Sequence, residues 1–242
     1  MNQNAIGIIP VRYGAVRFPG KPLAAILGRP MIQWVYEGAR EARLLDRVIV
    51  ATDDERIASA ARNFGAEAVM TSPDHVSGTD RVAEAARNFE AEIILNIQGD
   101  EPLVRGAMLD ALVESLRAGE AGMATLMAKV KDISLFNDPH IVKVVADASG
   151  HALLFSRSPV PFGASDYFHQ HIGVYGYRRD LLMGYHRLPA SRLESVEKLE
   201  QLRALEAGVR IKMVEIERPT LSVDTPRDII RVERHLQTRL HE

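Results

Sequence analysis

The sequence predicts an α/β fold built on a doubly wound sheet, and two observations point to it. Apolar runs alternate with segments of helical period along all 242 residues. The early runs, Val48-Ile-Val50 and Ile93-Ile-Leu95, are continuously apolar, which suits parallel strands covered on both faces. Such alternation implies right-handed βαβ crossovers, with ligands bound beyond the carboxyl ends of the strands.

Strands are expected at 5–9, 47–52, 67–71, 92–98, 123–129, 141–147, 151–155, 172–178 and 210–216. Helices are expected at 30–42, 54–63, 79–89, 106–118, 178–186, 193–206 and 226–240. The first strand carries Ile6, Ile8 and Ile9 and stops at Pro10. Asp53 and Asp54 close the second strand and suit the cap of the next helix. His171-Ile-Gly-Val-Tyr-Gly-Tyr177 alternates like a half-buried strand. Ser191-Arg-Leu-Glu194 has the form of a capping box, and Gly208 stops the helix it opens. Leu193, Val196, Leu199, Leu202 and Leu205 would form one apolar stripe on that helix. Thr225-Pro226 reads as an N-cap followed by proline at the first helical position, with Asp228 in the first turn. The chain is expected to be one domain over 1–242, with a subdomain at roughly 130–190.

Composition narrows the function. Hydrophobic residues make up 46% and charged residues 26%, an ordinary globular balance. Net charge is −2 and no basic run appears, so no nucleic-acid partner is expected. With no cysteine there is no disulfide framework, thiolate catalysis or Cys-ligated zinc. No apolar run approaches the ~18 residues of a membrane span. Met1-Asn-Gln-Asn4 lacks a basic leader, which makes cytoplasm the expected location. Gly-x-Ser-x-Gly, Gly-x-Gly-x-x-Gly and His-Glu-x-x-His motifs are all missing, which removes the commonest hydrolase, dinucleotide and zinc-protease readings.

The loop after the first strand carries Arg12, Arg17 and Lys21 with Gly14 and Gly20. Arginine offers paired donors to phosphate oxygens, lysine a point charge, and glycine lets the backbone come close. The glycines are six apart where a P-loop has five, and Pro22 stands where its hydroxyl residue should be, so the loop is expected to be a nucleotide site of another type. Asn96-Ile-Gln-Gly-Asp-Glu-Pro102 places Gln98 and Asp100 at a strand's carboxyl end. Asp100 there is either an acidic turn and cap or a ligand for Mg²⁺, which takes one or two protein carboxylates beside phosphate and water. Asp224 precedes a helix that Thr225 already caps, which frees it to be a second metal ligand. Ser77-Gly-Thr-Asp-Arg81 puts Ser77 and Gly78 at a helix start, either as an anion-binding N-terminus or as a plain cap with Arg81 solvated. Arg157 ends a strand and either clamps a carboxylate or snorkels. His171 on its own reads as a structural histidine, and Glu197 and Glu200, three apart, would share one helix face.

In this order the motifs resemble those of the 3-deoxy-D-manno-octulosonate (Kdo) cytidylyltransferases, over nearly the whole chain. The anchors are Ile9-Pro-Val-Arg-Tyr13, Arg17-Phe-Pro-Gly-Lys-Pro-Leu23, Ala51-Thr-Asp53, Ser77-Gly-Thr-Asp-Arg81, the 96–102 run, Phe155-Ser-Arg157, His171 to Tyr177, Leu199-Glu-Gln-Leu-Arg203 and Val223-Asp-Thr-Pro226. The resemblance implies a nucleotidyltransferase of the glycosyltransferase-A type, with a mixed sheet and a smaller subdomain for dimerisation and substrate. It implies a homodimer that uses CTP and Mg²⁺ and serves lipopolysaccharide biosynthesis. It places Arg12, Arg17 and Lys21 on the triphosphate, with Ser77, Gly78, Arg81 and Gln98 near the nucleotide. Asp100 and Asp224 would hold the metal. Gln98, Arg157, His171, Tyr175 and Glu200 would face the sugar acid. Three positions depart from the family: Val11 and Ala15 stand where alanine and serine are usual, and Ser222 replaces a common glycine. The alternatives are an enzyme for a related sugar acid, such as 8-amino-Kdo or a nonulosonate, and a catalytically silent nucleotide-binding protein.

Overall fold

The apolar run before Pro10 forms strand β1 (Ala5–Val11), buried at every position in a computed structural model that describes residues 4–14 and 18–240. The strand continues through Pro10, where termination was expected. The ladder to its neighbour at 93–97 ends at Ile8, so the missing N–H costs that ladder nothing. A 3-10 turn (Lys21–Leu23) leads to a hairpin of β2 (Ala25–Ile26) and β3 (Arg29–Pro30), absent from the sequence expectation. Its two-residue turn, Leu27-Gly28, takes φ 48° and 79°, and the Leu27 N–H donates to Glu233 Oε1 at 2.8 Å.

Helix α1 (Met31–Arg40), β4 (Arg47–Thr52), α2 (Glu55–Asn63), β5 (Glu67–Met70), α3 (Gly78–Ala86), β6 (Ile93–Ile97) and α4 (Gly106–Arg117) follow in alternation. Strands β6, β1, β4 and β5 lie side by side and parallel. In β6, β1 and β4 the apolar side chains, Ile8, Ile9, Ile49, Val50, Ile94 and Leu95 among them, are fully buried, as continuous apolar runs require, while β5 at the edge is exposed or half-buried throughout. These elements belong to the first of two units, Met1–Asp110 with Thr220–Glu242, except α4, which runs across the boundary at Asp110.

The second unit, Ala111–Pro219, contains the 130–190 span expected as a subdomain. It holds β7 (Met123–Val130), β8 (Lys143–Ala146), β9 (Ala152–Ser156), β10 (Phe168–Arg178), α5 (Arg179–Gly184), α6 (Arg192–Glu197), α7 (Gln201–Glu206) and β11 (Ile211–Ile216). Here β10 runs antiparallel to β7 and β8, β8 antiparallel to β9, and only β11 parallel to β7. The register of β10 against β7 shifts between Ile172 and Tyr175.

The expected 193–206 helix is a correction. Lys198 adopts φ 56°, ψ 44°, which ends α6 and splits the stripe into two short helices. Glu197 and Glu200 therefore do not share one helix face. Ser191 does cap α6, accepting from the Glu194 N–H at 2.9 Å, but the Glu194 carboxylate reaches Arg203 rather than closing a capping box. The chain returns to the first unit and ends in α8 (Pro226–Leu240). Val232 and Leu236 of α8 join Ile26, Met31, Leu103 and Val223 in one apolar cluster.

Candidate active site

Beyond the carboxyl ends of β1 and β6 the first unit opens a cavity of about 360 Å³. Arg12, Lys21, Ser77, Gly78, Arg81, Gln98, Asp100 and Asp224 all line it. Parallel strands end there by construction, and the turn after β6 meets the loop after β1 closely. A Cβ on Gly99 would stand 2.2 Å from Val11 Cγ1, so only glycine lets this turn lie against the end of β1.

Lys21 is the hub. Its Nζ pairs with Asp100 Oδ2 at 2.7 Å, donates to the Val223 carbonyl at 2.9 Å, and stands 4.0 Å from Asp224 Oδ1. The Val223 N–H donates to the Asp100 carbonyl at 2.9 Å, which ties the strand-end turn to the segment that carries Asp224. Asp228 Oδ2 accepts from the N–H groups of Asp224 and Thr225 and from the Thr225 hydroxyl. The helix start is thus satisfied without the Asp224 side chain. Asp100 and Asp224 flank a point that a cation already occupies, the arrangement a divalent ion with one or two carboxylate ligands needs.

Glu101, next to this pair, is 6% exposed and accepts from the Thr220 hydroxyl at 2.9 Å. Burial, and then the charge of Asp100, pushes its carboxyl up to about 8. Near neutral pH it keeps its proton and adds no third negative charge to the Asp100–Asp224 pair.

Arg12 is exposed and forms no ion pair with any described residue, which leaves its guanidinium available to an anion. Arg17 and Ala15, singled out from the sequence, lie outside the described residues. Ser77 caps α3, accepting from the Asp80 N–H at 3.1 Å and donating to Asp80 Oδ2 at 3.0 Å. The backbone of Gly78 sits over Pro10 and Gln98. Arg81 is not solvated, contrary to the plain-cap reading. It is 3% exposed, pairs with Asp53 Oδ2 at 2.9 Å and donates to Thr71 Oγ1. Gln98 Nε2 donates to Asn96 Oδ1 at 3.2 Å, and Asn96 Nδ2 donates to Thr79 Oγ1 at 3.4 Å, which turns the Gln98 carbonyl toward the cavity as the amides are assigned.

His75 and Val76 also line the cavity and were not singled out from the sequence. His75 Nε2 contacts Glu84 Oε2, whose carboxylate also accepts from the Ser72 N–H. Val76 is 88% exposed, an apolar side chain held over a polar cavity. A histidine and a valine before a helix cap carry no pattern by which a sequence could mark them.

The other candidates lie in the second unit. His171 is 9% exposed and lies edge-on to Phe155, ring centroids 5.0 Å apart. Tyr175 follows at 5.4 Å, Tyr177 at a further 6.2 Å and Tyr185 at 5.9 Å, whose hydroxyl donates to the Glu200 carbonyl at 3.1 Å. Burial drives the His171 imidazole down to about 3, so it is neutral. The Thr125 hydroxyl donates to the Val174 carbonyl at 2.8 Å, so in the bond to Thr125 Oγ1, at 3.1 Å, His171 Nε2 is the donor. That leaves Nδ1 as an acceptor. Arg157 donates through Nε to the Glu197 carbonyl at 2.9 Å and through Nη1 to the Pro139 carbonyl at 2.8 Å. Neither sequence alternative foresaw a guanidinium anchored on carbonyls.

Residues 6–211 match the family described as Cytidylyltransferase. The chain is 53% identical over 233 residues to the 3-deoxy-manno-octulosonate cytidylyltransferase of Syntrophobacter fumaroxidans, covering 93% of each chain. To that of Geobacter sulfurreducens it is 47% identical, covering 95% of this chain and 98% of the relative. Among solved structures it is similar to CMP:2-keto-3-deoxy-manno-octonic acid synthetase complexed with CTP, at 41% identity and a TM-score of 0.92 over 98% of this chain and 99% of the other. A 4-diphosphocytidyl-2C-methyl-D-erythritol synthase from Anaerococcus prevotii, 14% identical with a TM-score of 0.67 over 98% of this chain and 100% of the other, shares the fold alone.

Proposed function

Because this chain belongs to the cytidylyltransferase family, we propose that it transfers CMP from CTP to the anomeric hydroxyl of Kdo, releasing pyrophosphate. The observation that carries this reading is the Lys21–Asp100–Asp224 cluster at the mouth of a parallel sheet, in a chain 41% identical to a CTP-bound synthetase. The fold is the mixed α/β nucleotidyltransferase fold.

The reaction joins an alcohol oxygen to the α-phosphorus of CTP while the bond to pyrophosphate breaks in line. Such transfers need little covalent chemistry from the protein; position and charge do the work. Arg12, free of ion pairs with described residues, and Lys21 meet the triphosphate. Gly78 and the capped start of α3 bring backbone N–H groups to the nucleotide. Arg81 acts through its neighbours, because Asp53 and Thr71 already hold its guanidinium. The two carboxylates around Lys21 fit Mg²⁺, and Asp100 and Asp224 would hold it. A magnesium ion there supplies polarisation of phosphate oxygens and a lowered pKa for a coordinated hydroxyl.

The sugar acid is negatively charged, and His171 is neutral. Its Nδ1, an acceptor, suits a sugar hydroxyl, so the carboxylate is left to Arg157, with Tyr175 and Glu200 of the same unit completing the recognition. Exposed Leu153 and Phe162 in the second unit support a homodimer with contacts there. Among the described residues no helix is long and apolar enough to cross a membrane; we place the enzyme in the cytoplasm, supplying lipopolysaccharide assembly.

The test is pyrophosphate release from purified protein with Mg²⁺, Kdo and each of CTP, UTP, ATP and GTP. Release with CTP and Kdo alone is expected. Release only with another sugar acid would move the substrate. Silence with every pair, in folded protein, would overturn the enzymatic reading.

A further inference from the structure

Lys143 is fully buried in the second unit, yet no carboxylate of a described residue pairs with it. An ammonium has three donors, and here all three go to backbone carbonyls: Asp138 at 2.9 Å, Ile141 at 2.7 Å and Arg157 at 2.6 Å. Burial lowers the Lys143 pKa, as expected for a cation taken from water. A lysine in such a place is an interior tie among three carbonyls, of which that of Asp138 also accepts from the Ile141 N–H at 3.2 Å.

The tie converges on one residue. Lys143 holds the Arg157 carbonyl, and Glu197 Oε2 accepts from the Arg157 N–H at 2.8 Å. Glu197 Oε1 accepts from the Ser156 hydroxyl at 2.7 Å, so both carboxylate oxygens face the end of β9. The Arg157 guanidinium bonds the Glu197 carbonyl and the Pro139 carbonyl, and Pro139 lies between the two loop residues that Lys143 also holds. Arg157 is thus fixed at its N–H, its carbonyl, Nε and Nη1. Its Nη2 makes no hydrogen bond to a described residue, so both Nη2 N–H groups stay open beside the second N–H of Nη1.

We propose that Lys143 and Glu197 are positioning residues that preset Arg157, so that Nη2 meets the carboxylate of the sugar acid without reorganisation on binding. This rests on the reading of Arg157 as the carboxylate partner. A guanidinium already fixed by its surroundings binds an anion at lower entropic cost, and a shift of about 1 Å in such a group can cost on the order of a hundredfold.

The experiment compares Lys143→Met and Glu197→Gln with Arg157→Ala in steady-state kinetics, after circular dichroism confirms folding. Either positioning variant should raise the KM for Kdo by roughly ten- to a hundredfold and leave the KM for CTP within about twofold. In the Arg157→Ala background the same substitutions should add little, because the residue they position has gone. Equal rises for both substrates, or full additivity with Arg157→Ala, would reduce Lys143 and Glu197 to general stability and overturn the proposal. If Arg157→Ala leaves the Kdo KM unchanged, the carboxylate assignment itself has failed. If Arg157→Ala raises it and the positioning variants do not, the assignment stands and the positioning role falls. Glu197→Gln carries the test should Lys143→Met not fold.

Discussion

The charged groups at the mouth of the first unit and the buried polar groups of the second are held in opposite ways. In the first, cations and carboxylates gather at the open end of a parallel sheet, where Lys21 and Asp100 keep partial exposure and Arg12 is exposed without an ion-pair partner among the described residues. In the second, Lys143, His171, Thr125 and Ser156 are buried and already bonded to their own chain. The first arrangement keeps charge in reserve for a highly charged ligand. The second fixes geometry before any ligand arrives. The difference fits the two substrates: a triphosphate is bound largely by charge, a sugar acid by the placing of several weak contacts.

Removing a charge from the first unit should therefore have the largest effect on turnover. Asp100→Ala takes away the carboxylate nearest Lys21, and we expect a loss of about a thousandfold or more in kcat, while CTP still binds measurably by calorimetry. Turnover within a few-fold of wild type would remove Asp100 from the chemistry. Lys21→Ala should be milder, raising the KM for CTP by roughly tenfold or more. An unchanged value would place Lys21 outside the triphosphate site.

The first unit was far more legible in the sequence than the second. Three cations and two glycines on one loop, or two aspartates after apolar runs, are patterns whose chemistry survives without coordinates. The parallel strands were equally plain, since continuous apolar runs leave few alternatives. Lys143 gives no such signal, because a lysine in a strand reads as a surface residue until the fold buries it. Glu197 and Glu200 were misplaced because leucine spacing continues straight through Lys198, whose left-handed turn costs little beside the contacts around it. The 25–30 hairpin escaped notice because Leu27, not glycine, opens its turn.

The two units should also respond to pH with opposite signs. The Glu101 carboxyl in the first is raised from 4.5 to about 8, so the folded protein keeps a proton that the unfolded chain releases. Its contribution is intact below 4.5 and is lost as pH rises toward 8. His171 in the second is lowered from 6.5 to about 3, so the unfolded chain takes up a proton first. Its contribution is intact above 6.5 and is lost as pH falls toward 3. Urea denaturation across pH should show Glu101→Gln gaining on wild type as pH climbs, and His171→Gln gaining as pH drops, each by up to about 1.4 kcal/mol per pH unit. Parallel curves would show that neither group carries the dependence.

The smallest effect tests whether the first site depends on backbone approach where the second depends on hydrogen bonds. Gly99→Ala places a methyl 2.2 Å from Val11 Cγ1, and β-branched Val11 has little rotamer freedom with which to retreat. We expect a loss of about 1–3 kcal/mol in stability from this overpacking. Val11→Ala removes the methyl groups that the added Cβ would meet and opens the space. The double variant should therefore be more stable than the sum of the single losses predicts, by at least about 0.5 kcal/mol. Space repairs a steric fault, so rescue is the expected result at Gly99. No enlargement of a pocket would restore the three donors that Lys143→Met removes. Strict additivity between positions 11 and 99 would show that the turn after β6 is free to move away from β1, and the contrast between a site set by close backbone approach and one set by buried donors would then fail.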